Sequence, residues 1–476
     1  MSRSARSTTA PASTVSGRWL LLGFLATAQL MLIIDVTVVA LALPRMQAEL
    51  ELSRGTLTWV VSVYALVFGG FMLLGGKAAD VYGSRRVVLV GLGVFTIASA
   101  LAGFAADPAT LLAARAVQGL GAAALSPAAL SVVARIFQGA ELAKALGVWS
   151  ALGGAGAAVG VLLGGALTAG PGWPWVFWIN APIGVILFIA LARTLPRLSA
   201  PGGALDWIGA FLVTAATAAL ILGLVNAGDA GWGTPATLVP VVAAALGYAA
   251  FVWRQRAARH PLIDPTMLAR RPVAAGFGLI FVATALMIAV FFLGSFIFQR
   301  VHGFSALDTG LVFLPVALGS IVGAQLGGRA VVRLGVRVVG GSGLAIAAAA
   351  SLLAATTVSM TLLVVGMSLA ALGIGLAFVA SATSVFSAVA PQDAGVGSGA
   401  LSTFHEFGAA TGVSAVSSIV AAGIAGESFA AYNQGFWLLG VVAVVSTALA
   451  FALLPGRTAA AWWRGLSPAE RARPEP

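Results

Sequence analysis

Apolar residues in this chain run on in blocks of about twenty instead of alternating with polar ones, and glycine, proline and charge fill the short gaps between blocks. Fourteen blocks can be drawn: 19–43, 56–76, 87–106, 109–133, 143–168, 173–195, 207–227, 235–254, 273–297, 307–327, 338–358, 361–385, 398–423 and 431–455. At a rise of about 1.5 Å per residue, each crosses a hydrocarbon layer of roughly 30 Å. The ~10-residue alternating segments of a membrane β-barrel are absent. The pattern predicts an all-α membrane protein with fourteen transmembrane helices.

The first block follows Arg3, Arg6 and Arg18 and ends near Ala40-Leu41-Ala42, as a signal peptide does. It is longer than an h-region of about 7–15 residues, and Asp35 interrupts it, so it reads as a retained first span. The polar tail 456–476 is expected to fray.

Composition narrows the picture. Of the 476 residues, 60% are hydrophobic and 9% charged, against about 25% charged in soluble domains. No stretch is left for a separate soluble domain. Without cysteine there are no disulfides or thiolate metal sites. His260, His302 and His405 are scattered, so no metal is expected. No G-x-x-x-x-G-K-[ST] run is present, which excludes a P-loop nucleotide site. No cofactor is expected, and energy must come from an ion gradient or from substrate flow.

The net charge of +11 raises nucleic acid as a partner, and its distribution removes the need for one. Twenty-two of the 26 Lys and Arg fall at the N-terminus and in alternate loops. Arg45, Arg54 and Arg300 fall on the other side, and Arg115 lies within a helix. The positive-inside rule places both termini in the cytoplasm.

An internal repeat is visible. Leu74-Gly75-Gly76-Lys77-Ala78 matches Leu326-Gly327-Gly328-Arg329-Ala330, and Gly83 and Arg85 match Gly335 and Arg337. Both copies join the second and third helices of a six-helix group, which implies parallel repeats about an axis along the membrane normal. The expected organisation is a six-helix bundle at 19–195, an inserted helix pair at 207–254 and a second six-helix bundle at 273–455.

Several motifs carry a resemblance. The first helix has Asp35-Val36-Thr37-Val38-Val39-Ala40-Leu41-Ala42-Leu43-Pro44, the first loop Gly75-Gly76-Lys77-Ala78-Ala79-Asp80-Val81-Tyr82-Gly83-Ser84-Arg85-Arg86, and the fourth helix Arg115-Ala116-Val117-Gln118-Gly119-Leu120-Gly121. The fifth helix has Gly156, Gly160, Gly164 and Gly165, with Val161 where a proline is common. The run Trp173-Pro174-Trp175-Val176-Phe177-Trp178-Ile179-Asn180-Ala181-Pro182 follows, and Ser402-Thr403-Phe404-His405-Glu406-Phe407-Gly408 stands late in the chain. Over residues 19–455 the chain resembles the major facilitator superfamily, and within it the fourteen-helix drug:proton antiporters. The resemblance implies a bacterial plasma-membrane exporter of drugs or antibiotics that works by alternating access and is driven by inward protons. The other function classes are an importer or facilitator of a sugar, organic acid or peptide, and, less favoured, a membrane sensor. No enzyme activity is expected.

On this reading Asp35, Arg115 and Glu406 are the candidates for proton coupling. Asp35, Gln118, Phe404 and Glu406 are the candidates for substrate binding. Asp35 and Arg115 lie at matching depths, ~12 and ~9 Å from the outer helix ends, so they are expected to face each other across a cavity. A purely structural ion pair is the alternative. Glu406 is either a second proton site, a counter-charge for cations, or a carboxylate in a vestibule. His405 is expected to point about 100° away from it, as a packing residue or a proton carrier. Gly75, Gly76, Asp80, Gly83, Arg85 and Arg86 form a cytoplasmic gating loop, with Asp80 capping a helix of the opposite half, or else a turn with topogenic charge. Gly156, Gly160, Gly164 and Gly165 pack the antiporter helix closely, with or without a role in sealing the outer gate. The expected partners are a drug-like small molecule, cationic or amphipathic, together with protons and lipids. The expected state is a monomer.

Overall fold

A computed structural model describes residues 15–137, 139–196, 204–259, 261–357, 359–389, 394–421 and 429–456. Arg3, Arg6, Arg197, His260 and the tail beyond Gly456 lie outside the described residues.

The described residues form helices joined by short turns and loops, with no strand among them. In chain order the helices are α1 Val15–Glu49, α2 Arg54–Tyr82, α3 Ser84–Gly103, α4 Pro108–Ile136 and α5 Gly139–Ala169, then α6 Trp175–Trp178, α7 Asn180–Thr194, α8 Trp207–Ala230 and α9 Pro235–Ala257. They continue as α10 Pro265–Ala269, α11 Arg271–Phe296, α12 Ala306–Leu334, α13 Val336–Thr356, α14 Met360–Phe386, α15 Ala394–Ile419 and α16 Phe429–Leu453. A π turn, Ile297–Val301, extends α11. Twelve described segments are long and apolar enough to cross a membrane, with α6 and α7 counted together as Trp175–Thr194. The chain is an all-α, multi-pass membrane protein.

Local chemistry sets the boundaries. The Ser53 hydroxyl accepts from the Thr56 amide and starts α2, and Asp107 starts α4 through the Thr110 amide, with Pro108 at the first helical position. Ser305 and Asp308 form a reciprocal capping box at the start of α12. The repeat in the sequence returns as repeated geometry. Gly83 (φ +90°) ends α2 and Gly335 (φ +84°) ends α12, each with a backbone that glycine adopts without strain. Two residues on, Arg85 donates to the Ala192 carbonyl at 2.6 Å and Arg337 to the Leu454 carbonyl at 2.8 Å, so each arginine caps the carbonyl end of a later helix.

Packing explains which faces stay apolar. Val90, Ile97, Leu101 and Phe104 on α3, Val185, Ile186 and Ile189 on α7, and Val441, Val444, Val445 and Leu449 on α16 are all exposed. In water such a surface would aggregate; in a bilayer it faces its own solvent. The α8–α9 hairpin lies on one flank. Its α8 packs on α2 and α15, while α9 packs mainly on α8 and presents Val239, Val242, Leu246 and Trp253 outward.

Candidate functional site

Between the helices lies a cavity of about 1500 Å³. Its deep wall carries Gln29, Ile33 and Thr37 from α1, Phe68 and Met72 from α2, Thr284, Met287 and Phe291 from α11, Phe378 from α14, and Ser402, His405 and Glu406 from α15. Lys77 and Asp80 from the end of α2, Arg135 from the end of α4, and Asp206 line it at one end, so this is the open end. The expected gating loop is not a loop: Gly75, Gly76 and Asp80 lie in α2, Arg85 and Arg86 in α3, and Gly83 alone makes the turn between them.

The opposite end is closed by close helix approach. A Cβ on Gly156 would come 2.5 Å from Ile33 Cγ2, one on Gly160 2.7 Å from Thr37 Cβ, and one on Gly164 2.9 Å from Val38 Cα. One on Gly165 would come 2.7 Å from the Ala306 carbonyl oxygen. Thus α5 lies against α1 along three glycines and against the start of α12 with the fourth. These contacts leave no room for larger side chains. Polar ties add to the closure: Gln299 donates to the Leu41 carbonyl at 3.0 Å and Arg300 to Gln47 at 3.1 Å. Between α2 and α15, the Thr58 and Ser417 hydroxyls share a hydrogen bond of 2.7 Å, and those of Ser62 and Ser414 one of 3.2 Å. Arg54 binds Asp229 of α8, Ser417 of α15 and the Val225 carbonyl, joining three helices at the closed end.

Beside the cavity sits a sealed polar cluster. Asp35 and Arg115 are each 1% exposed. The Asp35 Oδ2 accepts from Arg115 Nη1 at 2.5 Å, and its Oδ1 accepts from Gln118 Nε2 at 2.8 Å and Asn180 Nδ2 at 3.2 Å. Gln118 and Asn180 also donate to Ser99 Oγ, at 3.1 and 2.9 Å, and Ser99 donates to the Phe177 carbonyl at 3.0 Å. Arg115 Nε donates to the Val60 carbonyl at 3.1 Å, and the guanidinium lies 4.2 Å from the centroid of the Tyr64 ring. The Asp35 carboxylate is thus paired on both oxygens in a region where unpaired polar groups are costly, while the buried Tyr64 hydroxyl has no hydrogen-bond partner.

This geometry corrects the sequence expectations in several places. Asp35 and Arg115 do not face each other across the cavity; they touch directly, on the side of α1 turned away from it. Asp35 and Gln118 are absent from the cavity wall, and so is Phe404, whose ring stacks on Phe277 at 4.9 Å and 5°. Of the four expected substrate contacts, Glu406 alone lines the cavity. His405 lines it too, and its Nδ1 lies 3.2 Å from Glu406 Oε1. A 100° step between neighbours does not separate two side chains when the chamber is this wide. Asp80 does not cap the opposite half; it pairs with Arg135 of α4 at 2.8 Å. Gly75 lies against the Ala123 carbonyl of α4, Gly76 faces the cavity, and Arg86 is exposed. Ser99, Tyr64 and Arg54 belong to the site as well, and the sequence alone does not single them out. Ser99 and Tyr64 look like ordinary span residues in the sequence. The signal for Arg54 was its presence among only three cations on the poorly charged side.

The family model of the Major Facilitator Superfamily matches residues 25–413. The chain is 34% identical to the puromycin resistance protein pur8 of Streptomyces alboniger, over 96% of this chain and 95% of that one. It is 36% identical to the cephamycin export protein CmcT of Amycolatopsis lactamdurans, over 84% and 85%, and 32% identical to the lincomycin resistance protein of Streptomyces lincolnensis, over 97% and 96%. Among solved structures, a bacterial homolog of the human lysosomal transporter Spinster, in an inward-facing and occupied conformation, superposes with a TM-score of 0.69 at 18% identity. That match covers 96% of this chain and 100% of the other.

Proposed function

Because the chain belongs to the Major Facilitator Superfamily, we propose that it exports drug-like or antibiotic molecules from a bacterial cell in exchange for protons, by alternating access. The observation that carries this reading is a cavity of about 1500 Å³ open at one end and sealed at the other, with a fully paired carboxylate buried beside it. Relatives named for puromycin, cephamycin and lincomycin support a drug-like cargo.

Fourteen spans follow if α5 and α15, of 31 and 26 residues, are added to the twelve. They are ~46 and ~39 Å long at 1.5 Å per residue. The two six-helix bundles are 19–195 and 273–455, and the pair at 207–254 is inserted between them. The concentration of arginine supports cytoplasmic termini, and the open end with Lys77, Asp80 and Arg135 then faces the cytoplasm. Asp35 and Arg115 form the coupling pair. Separating the guanidinium from the carboxylate, or admitting water to it, changes whether the carboxylate holds a proton. Glu406 is the substrate-facing carboxylate. Closure of the open end and parting of the α5–α1, α5–α12 and α2–α15 contacts would carry cargo outward.

The test is dissipation of a pH gradient in everted vesicles by a panel of lipophilic cations, dyes and antibiotics. Export predicts dissipation by some of them, and its loss in Asp35→Asn. No response to any member of the panel rejects export. Unchanged proton-driven transport by Asp35→Asn in proteoliposomes rejects the coupling role.

A further inference from the structure

We propose that His405 is the resident counter-cation of Glu406, so that the charge on its imidazole switches the binding of a cationic amphipath in the cavity. This rests on the export reading and deepens it by naming the substrate class.

The two residues stand at the same place on the cavity wall, with Nδ1 3.2 Å from Oε1. The carboxylate side chain is 10% exposed and the imidazole 42%, so the ring is the more open of the two to the chamber that both line. Of the helices packed on α15, α2 brings the Tyr64 hydroxyl within electrostatic range of Glu406. From α14, the Phe378 ring lies 6.0 Å from the imidazole. The α11 wall is Ile280, Thr284, Met287 and Ile288, and α8 has Asp229 paired with Arg54 at the closed end. Among the described residues, the remaining charged groups on the cavity wall are Lys77, Asp80, Arg135 and Asp206, all at the mouth.

The depth of the chamber therefore holds one carboxylate and one group able to neutralise it. Imidazole is the side chain whose charge changes between about pH 5 and 8. When it is cationic, the pair is neutral overall and a substrate cation must displace an ion already in place. When it is neutral, the carboxylate is left to an arriving cation, in surroundings where water screens little. Phe68, Phe291, Phe378, Met72 and Met287 give aryl or alkyl groups a polarisable wall. Gln29 and Thr284 on the same wall have side-chain oxygens with no hydrogen-bond partner, which suits a cargo with a polar group. A cation carried from a neutral face to an acidic one would be expelled there by protonation of the ring.

The experiment is equilibrium binding of tetraphenylphosphonium to the purified full-length protein in detergent, from about pH 5.5 to 8.5. The wild type is expected to bind about tenfold more tightly at the upper end, the size of one charge-assisted contact. His405→Gln should bind tightly at every pH, and His405→Arg, which keeps a cation permanently beside the acid, weakly at every pH. Glu406→Gln should bind more weakly than the wild type at the upper end of the range. His405→Asn stands in if the Gln variant does not fold. A pH slope that survives in His405→Gln, or the same affinity in the Gln and Arg variants, overturns the switch while leaving export standing. Saturable binding of a neutral drug without tetraphenylphosphonium binding at any pH also overturns it. No binding of either probe overturns the export reading as well.

Discussion

Asp35 and Arg115 meet at 2.5 Å with both side chains withdrawn from the cavity. Asp35 also accepts from Gln118 of α4 and Asn180 at the start of α7, and both of these donate to Ser99 of α3. The pairing makes each member dependent on the other for stability.

Removing one partner should therefore cost more than removing both. Asp35→Ala leaves Arg115 uncompensated and should destabilise the protein by about 3–5 kcal/mol. The double variant Asp35→Leu/Arg115→Leu should recover most of this, because two well-packed apolar side chains need no counter-charge. Thermal or denaturant unfolding in detergent measures the cycle. Simple additivity of the single losses would show that the pair is not coupled.

The hydroxyl pair between α2 and α15 supplies a lock. Thr58 and Ser417 approach to 2.7 Å between hydroxyl oxygens, so cysteines in their places would bring two thiols together. The chain has no cysteine of its own, so Thr58→Cys/Ser417→Cys is a clean background. Oxidation is expected to stop export, reductant to restore it, and labelling at the open end to persist in the locked protein. Full export in the oxidised, cross-linked state would mean that α2 and α15 need not part there.

Acid should loosen the end of the α8–α9 hairpin. Burial pushes the Asp206 carboxyl up, but the Gly209 amide, Arg254 and Gln255 together outweigh it and leave it below the ordinary carboxylate value. A depressed folded value means stability that is present above the unfolded value of about 3.9 and is lost as pH falls through the folded one. Gln255 also accepts from the Leu262 amide at 2.7 Å, so the loop after α9 should loosen with it. Hydrogen exchange at residues 254–259, 262 and 263 should rise below about pH 4 in the wild type and be raised already at pH 7 in Asp206→Ala. Equal protection in both proteins at pH 7 would contradict this.

Much of this architecture was legible from one dimension. Asp35, Arg115 and Gln118 stood out because charge and amide groups are rare in apolar spans, and they do form one cluster. The Gly83 and Gly335 repeat predicted two equivalent turns, and both have the positive φ that glycine takes up without strain. The fifth-helix glycines predicted close packing, which α1 and α12 supply. Other features were hidden. Nothing local to Asp35 says which side of α1 turns to the chamber, and nothing local to Asp80 says whether its partner is Arg135 or a helix of the other half.

The linear chain determined the class of solvent this protein lives in, the positions of its spans and the few residues able to hold charge inside them. Transfer energies act residue by residue and so add up along a sequence. The tertiary structure alone decided which charges share a pocket, which end of the cavity is shut and that His405 and Glu406 meet on one wall of it. Those outcomes depend on contacts between segments hundreds of residues apart. A few ångströms of helix approach or rotation there exchange water for a counter-ion.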